Sequence, residues 1–345
     1  MNVGQAIELA KDWVDTIGRH VPGFCGAHLM GGLTYTPQEA LFADYKDIDL
    51  NIVVQGAPGY EVRDVFYQGR ILEYGTVSAD RYRSPEVVLS DVELASNLAA
   101  DSILADPLGM LAELRRTVAK AYPRRKWVVA RCDQLKNSAS QSVAELSQAS
   151  SAGAALSRVI FLIRDLAGLV AVAGLRPPTN RRSLILMREI LAQAGQSTLY
   201  DDVLGVFGVA QMSRAQVELC LFQCAVAFDK AVEVTRTPIP YQFKMHAYVK
   251  PYVIAGAQEM IDAGSHREAM LWIAVSILLA NTAIQIDAAE ADRPAFQQMA
   301  NQLASELGLD TMETVKARLQ QAQALADGVF KASDEIVSRN PEIID

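Results

Sequence analysis

Two aspartates one residue apart, Asp47 and Asp49, head the otherwise apolar run DIDLNIVV at 47–54. On a β-strand, residues two apart share a face, so both carboxylates project side by side from Cα atoms roughly 6.5–7 Å apart. Like charges at that spacing repel, and burial adds to the cost, so bound cations or full solvation must compensate. All-oxygen ligands of this kind suit magnesium. Two such ions about 3.5–4 Å apart can clamp the attacking and leaving oxygens of a phosphoryl displacement. Glu73, in ILEYGTV, supplies a third carboxylate between apolar neighbours on a later strand-like run. Upstream, Gly31 and Gly32 follow the apolar FCGAHLM. Lacking Cβ atoms, they let backbone N–H groups approach a triphosphate closely. A lone D-x-D fits a solvated strand edge; the glycine pair before it and the acid after it turn the reading toward chemistry.

The elements that must hold these residues can be read from the periods around them. Val3, Ile7, Ala10, Val14 and Ile17 recur at three and four, which predicts an amphipathic helix over 3–17. FCGAHLM, IDLNIVV, EVRDVFY and ILEYGTVS then read as strands, the last two joined at a glycine turn in QGR. From Ser84-Pro85-Glu86 onward nearly every segment is alanine- and leucine-rich at helical spacing, punctuated by DP at 106, YP at 122, RPPTN at 176 and TPIPY at 237. The expected fold is α+β, with a small mixed-sheet domain over 1–105 followed by an all-α helical-bundle domain over 106–345. Within the latter, Ser265 and Glu268 have capping-box spacing, Ser213 is a candidate cap, and the serine- and alanine-rich 137–155 reads as a loose helix or a connection.

A chain of 345 residues can bury two cores without staples. Cys25, Cys132, Cys220 and Cys224 form no C-x-x-C pair and read as reduced packing residues; His20, His28, His246 and His266 show no zinc-ligand spacing. The first twenty residues are amphipathic, without the pattern of a secretory signal, so the expected location is cytoplasmic. Two apolar stretches, AALSRVIFLIRDLAGLVAVAGL and AMLWIAVSILLANTAIQI, read as buried helices, because the first carries three charges and the second is short of a clean span. A net charge of −8 argues against broad nucleic-acid binding and suits a cationic small molecule. The basic RRTVAKAYPRRK at 115–126 reads as a solvated helix end.

MGG at 30–32, DIDL at 47–50 and LEY at 72–74, in that order, resemble the signature of the nucleotidyltransferase superfamily. That superfamily includes DNA polymerase β and the bacterial kanamycin- and streptomycin-modifying enzymes. The second glycine stands where serine is commoner, and the spacer from Gly32 to Asp47 is slightly long. The resemblance implies a nucleotidyltransferase catalytic domain with Asp47 and Asp49 ligating magnesium. Glu73 would complete the metal site or accept a proton, and Gly31 and Gly32 would line the triphosphate. It further implies attack by an acceptor hydroxyl on the α-phosphorus of an NTP, with ATP the expected co-substrate and pyrophosphate the leaving group. Arg181, Arg182, Lys244 and Lys250, in or beside proline-containing connections, are the candidates for meeting the triphosphate. The expected acceptor is a small molecule, aminoglycoside-like in view of the charge. The alternatives are transfer to tRNA or protein, where 115–126 would matter, and a non-catalytic nucleotide-binding module, against which three mutually repelling acids argue.

Six tempting residues have plainer readings. His28 reads as a packed or hydrogen-bonded strand histidine, His266 as part of a helix start, and the three tryptophans as too scattered to form one platform. Tyr45, beside the D-x-D, either stacks on a base or is an ordinary loop aromatic.

Overall fold

Alternation along DIDLNIVV fixes which side of the sheet becomes core. The computed structural model describes residues 1–56, 61–239 and 241–345. Its contacts divide the chain into one unit of Met1–Arg131, Leu175–Thr179 and Pro341–Asp345, and a second of Cys132–Gly174 and Asn180–Asn340. The first unit holds strands β1 (Phe24–Leu29), β2 (Asp47–Val54), β3 (Glu61–Tyr67), β4 (Arg70–Ser78) and β5 (Ile103–Ala105), in the order β3-β4-β2-β1-β5. The β2/β4 pair is parallel and the other pairs are antiparallel, so the sheet is mixed as the sequence predicts. Gln68 (φ 45°) and Gly69 (φ 80°) make the turn between β3 and β4, and paired positive φ values suit a two-residue hairpin. The short β5, which no alternation announces, pairs with β1.

Helix α1 (Val3–Thr16) starts at a capping box between Asn2 and Gln5. Its Val3, Ala6, Ala10, Trp13 and Val14 share a core with Leu29, Ile48, Leu50, Ile52 and Leu72. Helices α2 (Pro85–Ser90), α3 (Val92–Ala99) and α4 (Met110–Ala121) build a second core around Cys25, Val53 and Val77. Val53 lies an even number of residues from Asp47 and Asp49, hence on their face of β2. Packing therefore covers that face near the C-terminal ends of β2 and β4, while Asp47, Asp49 and Glu73 stay half-buried.

Helix α5 (Arg125–Leu146) begins in the first unit and ends in the second. The second unit continues with α6 (Ala152–Ala173), α7 (Ser183–Gln193), α8 (Ser197–Phe207), α9 (Arg214–Val234), α10 (Lys250–Asp262), α11 (His266–Asp287), α12 (Arg293–Glu306) and α13 (Met312–Arg339). It has no strand among the described residues. Residues 137–146 extend α5, and Ser151 caps α6. Ser213 closes its capping box with Gln216. The predicted box at α11 does not form. Ser265 occupies the N-cap without a side-chain bond, and buried Glu268 instead accepts hydrogen bonds from Arg188 (2.5 Å) and Tyr200 (2.8 Å). A charge-assisted bond inside the unit is stronger than a reach back to one backbone N–H.

Among the described residues, α11 alone is long and apolar enough to cross a membrane, and 56% of its apolar window is buried inside the protein. All four cysteines are buried and unbridged. Desolvation raises the thiols of Cys220 and Cys224, the latter to about 12, which keeps them protonated and inert. In the connection at 237–241, residue 240 lies outside the described residues.

Candidate active site

In the parallel β2/β4 ladder Asp49 stands directly beside Glu73, and Asp47 beside Ile71. Since residues two apart share a face, all three carboxylates face the same side. One oxygen from each of Asp47, Asp49 and Glu73 lies within 4.8 Å of the others. Sequence spacing predicted the first two as neighbours; the register of β4 adds the third. This donor set is all oxygen, which fits magnesium or another hard divalent cation.

The glycine turn sits against this trio. The Met30 N–H donates to the Asp49 carbonyl at 2.8 Å, which leads the chain into the 3-10 turn Gly31–Thr34. Gly31 has φ 64°, and a Cβ there would lie 2.8 Å from Asp49 Oδ2. Only glycine satisfies both the left-handed backbone and that close approach. The Gly31 N–H donates to Asn97 Oδ1 at 2.9 Å. It is therefore engaged within the protein. Gly31 makes room for Asp49, while the Cβ position of Gly32 is surrounded by open space.

The turn is buttressed by side chains that sequence reasoning did not single out. Asn97, on α3, is 6% exposed; its Nδ2 donates to the Glu93 carbonyl at 2.6 Å, and its Oδ1 also receives the Thr34 hydroxyl at 3.4 Å. Thr34 Oγ1 donates to the Gly31 carbonyl at 2.7 Å. The Tyr35 hydroxyl donates to the Ser96 carbonyl, and burial pushes that phenol above its ordinary range. Asn51 lies on the same face of β2 as Asp47 and Asp49, and its Nδ2 donates to Met30 Sδ at 3.3 Å and to the Tyr82 hydroxyl oxygen at 3.4 Å. Only the even spacing of Asp47, Asp49 and Asn51 hinted at this in the sequence.

His28 is fully buried on β1, opposite Asn51. Its Nδ1–H donates to the Leu29 carbonyl at 2.9 Å, so Nε2 accepts from the Tyr82 hydroxyl at 2.7 Å. Desolvation pushes its pKa down to about 4, partly opposed by the Leu29 bond. His28 is thus a neutral strut, as the packed-histidine reading expected. Trp13 stacks at a tilt on Tyr74 (4.8 Å), and Trp272 meets Tyr252 edge-on (5.4 Å), so the tryptophans serve separate cores.

Arg181, Arg182, Lys244 and Lys250 all belong to the second unit. Arg181 donates to the Tyr252 carbonyl at 3.1 Å, and its guanidinium lies 4.9 Å from the Tyr252 ring. Lys244 Nζ approaches the same ring at 5.0 Å. The structure thus brings these two together, a convergence that sequence spacing alone does not reveal. Lys250 is ion-paired with Asp229 at 2.6 Å, and Arg182 is an exposed residue at the start of α7.

No family model matches this chain, and no curated protein matches it. Among solved structures it is similar to a nucleotidyltransferase-like protein from Exiguobacterium sibiricum, at 9% identity and a TM-score of 0.31, covering 87% of this chain and 89% of that one. At that score the likeness bears no weight for chemistry, which has to come from the site itself.

Proposed function

We propose that the chain is a magnesium-dependent nucleotidyltransferase that moves a nucleoside monophosphate from an NTP, ATP being the expected one, to a hydroxyl of a small-molecule acceptor. The observation that carries this reading is the convergence of Asp47, Asp49 and Glu73 within 4.8 Å beside a turn where only glycine fits. Asp47 and Asp49 would hold the metal, with Glu73 completing the set. Magnesium, when bound, neutralises phosphate charge and aligns the attacking and leaving oxygens. The chain's own part is to position and to take up a proton. The turn at Gly31 and Gly32 would line the triphosphate; open space surrounds the Cβ position of Gly32, and Asn97 fixes the turn.

In the reaction, an acceptor oxygen attacks the α-phosphorus in line, and the bond from that phosphorus to the pyrophosphate oxygen breaks. A carboxylate of the trio accepts the hydroxyl proton; Glu73 would either do this or complete the metal set. The acidic balance of the chain favours a cationic, aminoglycoside-like acceptor.

Incubation with labelled NTPs, magnesium and panels of hydroxylated small molecules, tRNA and protein tests this. Label on a small molecule, with pyrophosphate released, is the expected result. Label on tRNA or protein would overturn the acceptor class. Absence of both magnesium binding and pyrophosphate release in a folded protein would overturn the enzyme.

A further inference from the structure

Helix α9 is apolar on two sides. Its inner side, with Val217, Cys220, Leu221, Cys224, Ala227 and Phe228, is buried in the second unit. Its outer side carries Leu219, Phe222 and Val226 at 50%, 67% and 40% exposure. These three recur at spacings of three and four, the seam by which one helix packs on another.

The charges at the ends of the seam indicate what covers it. Near its N-terminal end is Arg214, whose Nε and Nη2 bond Glu218 and Asp262. Near its C-terminal end is Asp229, whose Oδ2 bonds Lys250. Arg214 Nη1 and Asp229 Oδ1 have no bond among the described residues. We infer that α9 pairs antiparallel with α9 of a second copy of this chain, about a two-fold axis at Phe222. That axis sets Phe222 on Phe222 and Leu219 opposite Ala225 and Val226. It also sets Asp229 opposite Ala215, whose small side chain leaves space for the adjoining Arg214 of the other copy. Lys230, the next position, is held back by Glu233 and Asp292 and does not oppose the contact. An apolar centre with a base at one end and an acid at the other is self-complementary under a two-fold, the commonest symmetry of soluble oligomers. This inference is independent of the catalytic reading.

Sedimentation velocity on the full chain over a micromolar dilution series tests it. The wild-type chain is expected at twice its 37.6 kDa mass. Phe222→Glu and, separately, Leu219→Gln are expected to raise the dimer dissociation constant, the first by at least about 30-fold as for a central interface anchor. Both sites are exposed, and unchanged circular dichroism will verify folding. Arg214→Glu and Asp229→Lys should each weaken the dimer, and the double variant should recover most of the loss. A monomeric wild-type chain, a dimer indifferent to both apolar substitutions, or a double variant no tighter than the singles would overturn the pairing.

Discussion

The two faces of β2 differ in everything but backbone. Ile48, Leu50 and Ile52 are at most 1% exposed and join α1 in a dry core, whereas Asp47, Asp49 and Asn51, one residue out of step, carry the polar site and its support. A strand's period of two lets one segment serve as wall and as work surface, and a slip of one residue would exchange the two sets. The same contrast explains why the acids are held so firmly. Their spacing is set by a ladder that the opposite face anchors.

The contrast breaks most sharply at Asp49. Asp49→Asn is expected to cut nucleotidyl transfer by about 10²–10³-fold or more, the scale of losing one electrostatic stabiliser in a site. It should stay folded, with magnesium raising the melting temperature of wild type only. Denaturation followed with and without magnesium, beside a pyrophosphate assay, checks both halves. Leu50→Ala, on the other face, should do the reverse. It should cost about 3 kcal/mol of stability in a urea titration, within the usual range for a buried leucine, with turnover per folded molecule little changed.

His28 gives a pH signature. Its folded pKa of about 4 lies below its ordinary 6.5, so the unfolded chain binds more protons between those values. The stability it contributes is full above about pH 6.5 and declines as pH falls toward 4, by up to about 3 kcal/mol for a shift of this size. In His28→Gln the acid-side slope over that window should flatten, as read from urea midpoints at stepped pH. Smallest is the glycine pair. Gly31→Ala should cost about 1–3 kcal/mol from left-handed backbone strain and push on Asp49, whereas Gly32→Ser should stay within about 0.5 kcal/mol. Thermal melts of the two variants decide it, and equal losses would contradict the division of labour within the turn.

The D-x-D pair was legible because type and period act within one strand, and Glu73 because apolar neighbours on both sides marked it as strand-borne. What places Glu73 beside Asp49 is the parallel register of β2 and β4, which no local pattern encodes. Asn97 was illegible for a similar reason. It is an ordinary asparagine in α3 until the fold sets that helix against the glycine turn, 66 residues away in sequence. Glu268 shows a local signal overruled, since its spacing from Ser265 promises a cap and the interior offers Arg188 and Tyr200 instead. Three-residue β5 is too short to alternate, and only its pairing reveals it.

That short strand bears on how the protein behaves in a crowd. Without Ile103–Ala105, the flank of β1 would offer an unbonded row of amides and carbonyls, a template onto which a neighbouring molecule's strand can graft. With it, the sheet's other border is β3, where Glu61 and Arg63 form an exposed ion pair of the sort that discourages such grafting. Deleting or proline-substituting three inconspicuous residues would therefore invite aggregation well before it disturbed the acids two and three strands away.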